Sequence, residues 1–80
     1  MIPRQFTAEE IRAARAGTVT DAMRALMLEH VAYQADCGWQ GEEGRLAAAI
    51  MLCGMQADDD LLETVSDQIV EARQAVEGAG

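Results

Sequence analysis

Two helix-start signatures constrain this chain more than anything else in it. Thr7 is followed three residues later by Glu10, and Asp60 by Glu63. In such a pair the first side chain accepts from the backbone N–H of the second residue. The second side chain reaches back to the N–H of the first, so two otherwise orphaned donors are satisfied together. Phe6, just before Thr7, and Ile11 are placed to clasp the first start as a hydrophobic staple. The single proline, Pro3, precedes it and belongs to a short extended arm over residues 1–6. The first helix is expected from Ala8 to Ala16, stopping at Gly17, which accepts the left-handed conformation of a helix end.

A second helix follows at once. Thr18 or Thr20 supplies its cap, and Asp21 meets the positive end of its dipole. Val19, Met23, Leu26, Met27, His30, Tyr33 and Cys37 recur at three- and four-residue steps, a single helical face that Leu28 and Val31 widen. Gly38 ends it. Gly38-Trp39-Gln40-Gly41 is a tight connection. A third helix begins near Glu42 and Glu43, and from Leu46 to Met55 it is apolar on every side. Such a helix is normally buried all round, which one small fold does not easily achieve. Burial against a second copy through Leu46, Ile50, Met51, Cys53 and Met55 is therefore expected.

The last helix is expected from Asp59 to Glu77, capped by Asp60 with Asp58 as a rival and ending at Gly78. Leu62, Val65, Ile69, Ala72 and Val76 form a narrow seam suited to one partner helix. Fifteen alanines and five methionines, with only Phe6, Tyr33 and Trp39 aromatic, favour helix over sheet. The expected fold is all-α: a single domain over residues 1–80 and a small bundle of four helices, the first short. The third and fourth form an antiparallel hairpin, residues 78–80 are a tail, and the assembly is a homodimer. The chain holds neither lysine nor asparagine, while Ala, Gly and Arg are plentiful, as in a GC-rich bacterial or phage genome.

Charge narrows the function. The net charge of −8 lies wholly after residue 30, where Arg45 and Arg73 face ten acids; before that, four arginines balance four acids. A field of this sign repels nucleic-acid phosphates and anionic membranes and attracts basic protein surfaces. The N-terminus lacks the apolar run of a signal peptide, and Leu46–Cys53 falls well short of the roughly 20 apolar residues that span a bilayer. Cys37 and Cys53 form no C-x-x-C pair, so a cytoplasmic protein with two reduced, buried thiols is expected.

Candidate chemistry is sparse. Ser66, the only serine, and His30, the only histidine, lie on different helices, and Ser66 has no glycine elbow. His30, Cys37 and Cys53 match no zinc spacing. Asp58-Asp59-Asp60 lacks the alternation and glycine of a calcium loop and reads as helix capping. No cofactor or metal is implied. Glu63, Asp67 and Glu71, four apart, form an acidic stripe beside the seam. It is either a solvated face or, with Asp58, Asp59 and Asp60, a docking surface for a basic protein. Trp39 either lids the core or anchors a partner. The methionines are core filler or an adaptable binding surface.

The stretch Phe6–Gly17 resembles the opening of small helix-turn-helix repressors. No basic recognition helix follows it and the charge has the wrong sign, so the relation is set aside. The expected function is a non-enzymatic, protein-binding regulator. One concrete version is a phage- or prophage-encoded inhibitor of a host protein, a nucleic-acid-binding one included. Accessory proteins of the anti-CRISPR and anti-activator types resemble this chain in size, charge and lack of chemistry. An assembly subunit using the apolar third helix, and a small enzyme or metal module using His30 and the cysteines, are the alternatives.

Overall fold

The computed structural model describes residues 1–79, and all of its regular structure is helical. Helix α1 spans Ala8–Arg15, α2 Asp21–Asp36, α3 Gly41–Cys53 and α4 Asp59–Ala79, with a single 3-10 turn, Gly54–Gln56, after α3. Both Thr7 bonds of the capping box are present: the Glu10 N–H donates to Thr7 Oγ1 at 3.2 Å, and the Thr7 N–H to Glu10 Oε1 at 2.9 Å. Thr20 caps α2, accepting from the Met23 N–H.

The first two helices stop the same way. The Thr18 N–H reaches Ala13 O and the Gly17 N–H reaches Ala14 O; the Trp39 and Gly38 N–H groups repeat this on Gln34 and Ala35. That double closure needs a left-handed residue, and glycine supplies it at Gly17 (φ 84°) and Gly38 (φ 98°).

α2 packs on α3 and α4, α3 on α4, and α1 on α4. The core joins Met23, Leu26 and Met27 of α2 to Ala48, Ala49 and Leu52 of α3 and to Leu61, Val65 and Ile69 of α4. Alanines at the α3 contacts let these helices approach with little side chain between them. The radius of gyration is 11.5 Å, close to the roughly 12 Å of a well-packed chain of this length.

The N-terminal arm closes the core. Phe6 is buried, and its N–H donates to Leu52 O at 2.9 Å. His30 is completely buried and its Nε2–H donates to Arg4 O at 2.7 Å. Arg4 in turn holds Glu10 through both carboxylate oxygens, at 2.8 and 3.1 Å.

Several expectations are corrected. Cys37 is the exposed C-cap of α2 rather than a core thiol; only Cys53 is buried. Cys53 faces the chain's own core, so it does not belong to a self-association face. α3 ends before Met55, which stands on the 3-10 turn. The core thus accounts for four of α3's apolar residues, Ala48, Ala49, Leu52 and Cys53, and a second chain is not needed to cover them. On α4 the buried line is Leu61, Val65, Ile69 and Ala72; Leu62 is half-buried and Val76 is exposed. Leu61 takes the inward place expected of Leu62, while Val65, Ile69 and Ala72 are buried as expected. Asp58, not Asp60, caps α4, accepting from the Leu61 N–H at 2.8 Å and pairing with Arg15. α4 also continues through Gly78 instead of ending there, and Gly80 of the expected tail lies outside the described residues.

Candidate functional site

The exposed apolar side chains of α3 lie on one edge of the helix. Leu46 and Ile50, one turn apart, are each 47% exposed. They face α4 across an open groove of about 530 Å³. Its α4 wall is Asp59, Leu62, Glu63, Ser66 and Asp67, and Arg45 stands at one end. The four-residue spacing of Asp59, Glu63 and Asp67 puts three carboxylates along one lip of an apolar floor made by Leu46, Ile50 and Leu62. The acidic stripe and the apolar helix edge, separate features in the sequence, are two walls of one surface.

The expected acidic set divides. Asp59, Glu63 and Asp67 line the groove. Asp58 is occupied by the Leu61 N–H and by Arg15. Asp60 and Glu71 are exposed but outside the groove lining. Trp39 is half exposed and is not part of the groove lining. It shares a small cavity of about 200 Å³ with Val31, Ala35 and Arg73 at the start of α3, and its carbonyl rests against Gly44. A Cβ on Gly44 would sit 2.6 Å from that oxygen.

Ile50 is also a wall of a second depression, of about 460 Å³, on the other side of the helix edge. Gln5, Phe6, Met51, Cys53, Gly54, Met55 and Gln56 complete it. Met23 and Met27 are core residues, while Met51 is half-buried and Met55 fully exposed.

Sequence reasoning missed Arg45, Leu62 and Ser66 as groove residues. The available signal was the phase of Asp59, Leu62, Glu63 and Ser66 on α4, which share a side once Leu61 is inward. Arg45 is held by Glu42 at 3.5 Å, and its Nε is buried without a partner among the described residues.

His30 and Ser66 are not hydrogen-bonded to each other: His30 Nε2 is engaged by Arg4 O and Nδ1 has no partner among the described residues. Burial pushes the Cys53 thiol up and so disfavours the thiolate, outweighing the opposite pull of the nearby Arg15. Among the described residues no three His, Cys, Asp or Glu side chains are gathered to hold a metal ion. No described helix is long and apolar enough to cross a membrane. Comparison of the chain with protein-family models, curated proteins and solved structures finds no match.

Proposed function

We propose that this chain is a non-enzymatic protein-binding regulator whose α3–α4 groove takes a basic, amphipathic segment of a partner protein. One observation carries the reading: half-exposed Leu46 and Ile50 share a groove with Asp59, Glu63 and Asp67. Apolar contact supplies affinity there. Three aligned carboxylates attract lysine or arginine, raise the association rate and reject acidic competitors. A regulator of this kind works by occupying its target's surface. Where the target is a nucleic-acid-binding protein, the carboxylates stand in for phosphates. A phage- or prophage-encoded inhibitor acting in the cytoplasm is the concrete version of the reading.

In this reading α3 and α4 run antiparallel. The support is that the start of α3 shares a cavity with the end of α4 (Gly41 and Arg45 with Arg73 and Glu77), while Ile50 shares one with Asp59. Without its partner, the chain dimerises through the same Leu46–Ile50 edge, so partner and second copy compete. A permanent assembly subunit built on an all-round apolar α3 has less support, because Ala48, Ala49, Leu52 and Cys53 are buried within the chain.

The test is affinity capture of a partner from host lysate by the native chain and by the Asp59→Arg, Glu63→Arg, Asp67→Arg variant. The Debye length falls from about 10 Å at 0.1 M salt to about 3 Å at 1 M. The expected result is a basic protein retained by the native chain at low salt, weakened at high salt and lost with the variant. Retention indifferent to both salt and charge reversal would remove the groove as the binding surface.

A further inference from the structure

We infer that the depression beside Ile50 is an anchor pocket for one aromatic side chain of the same basic segment, an inference that rests on the groove reading above. Ile50 belongs to both hollows, so a helix lying along the acidic groove meets the second at its edge. The accessible apolar side chains of the second hollow are Ile50 and the thioethers Met51 and Met55; Phe6 and Cys53 also border it but are buried in the core. Thioether sulfur is soft and polarizable and makes favourable contacts with an aromatic ring that it does not make with an aliphatic chain. The hollow's polar side chains, Gln5 and Gln56, are neutral, so it holds no carboxylate to pair with a second arginine.

The fold builds this hollow from two segments. Gly54, at a positive φ of 57°, turns the chain after α3, and Met55 stands out in solvent. The Gln5 side chain of the arm packs against Gly54, within 2.8 Å of where a Cβ would be. Unbranched methionines at the mouth adapt to the ring they receive. The partner's recognition element is thus an amphipathic helix: arginine or lysine repeated at four-residue steps, an aliphatic stripe beside them, and an aromatic residue where that stripe meets Met51 and Met55.

The test uses the full chain carrying carbon-13 methionine methyl groups, and two synthetic helical peptides of that pattern differing only by tryptophan or alanine at the anchor position. The tryptophan peptide is expected to bind about tenfold more tightly. The Met51 and Met55 methyl signals should shift, while those of buried Met23 and Met27 stay in place. In the Met51→Gln, Met55→Gln variant the two peptides should bind equally, with circular dichroism unchanged. Equal affinities for the native chain, or unmoved Met51 and Met55 signals with the tryptophan peptide bound, would overturn the anchor pocket and leave the groove reading standing. Failure of both peptides to bind would overturn both.

Discussion

Glu10 carries three jobs with one carboxylate. It closes the Thr7 cap, pairs with Arg4 and so ties the arm to α1. The Arg4 hydrogen bonds, with the Thr7 N–H second, hold its pKa at about 2, below its ordinary 4.5. The folded state therefore binds that proton less readily than the unfolded chain. The stability it confers is complete above about pH 4.5 and lost as the pH falls toward 2. Urea titrations at pH 6 and pH 3 should show a smaller acid-induced loss in Glu10→Gln than in the native chain, and the variant should be the less stable at pH 6. An equal loss in both would assign acid sensitivity to other carboxylates. Gly44 is constrained by space rather than by backbone angle. Gly44→Ala drives a methyl into the Trp39 carbonyl, a backbone atom that cannot swing aside. The expected cost is about 1–3 kcal/mol in chemical denaturation, and a variant as stable as the native chain would show that the connection yields.

At the scale of elements, the helix ends were the most legible part of the sequence. The Thr7–Glu10 box, the Thr20 cap and the stops at Gly17 and Gly38 are local chemistry, fixed within a few residues, and all are present. The start of α4 was not legible, because three consecutive aspartates offer three caps and local rules do not rank them. The choice of Asp58 depends on Arg15, distant in sequence, and on the phase that turns Leu61 inward. Val65, Ile69 and Ala72 kept their places in the seam; only its first member moved, from Leu62 to Leu61, which leaves Leu62 beside Asp59 and Glu63 in the groove. Asp58→Ala is expected to cost about 1–2 kcal/mol and Asp60→Ala only a few tenths, measured by thermal unfolding. The reverse order would restore Asp60 as the cap. The all-round apolarity of α3 misled in the other direction. Ala48 and Ala49 are small enough for α3 to lie close against its neighbours, and with Leu52 and Cys53 they take much of the expected excess inside the chain.

For the whole molecule, the small core is completed by a segment that is not helical. Phe6 fills it, and the arm supplies the one acceptor that His30 has among the described residues. Removing residues 2–6 exposes apolar surface and leaves a buried imidazole N–H unpaired. The expected loss is about 3–5 kcal/mol, a large share of the roughly 4–12 kcal/mol that holds a domain of this size together. Cooperative thermal unfolding should weaken sharply or vanish; a shortened chain melting like the native one would make the arm dispensable. The groove was half legible at this scale. Each wall was visible in the sequence, but their meeting was a tertiary fact, set by the packing of α3 on α4.

The only tryptophan stands outside the core, half exposed on a connection between helices, while the buried interior holds a single phenylalanine. Its indole already sees water in the native state. Intrinsic fluorescence will therefore emit at long wavelength before unfolding and shift little during it. An optical melt followed by that signal would make a well-folded chain look inert. The same placement makes Trp39 a quiet background at the end of the bundle away from Ile50, against which a tryptophan entering on a partner would stand out by its blue shift.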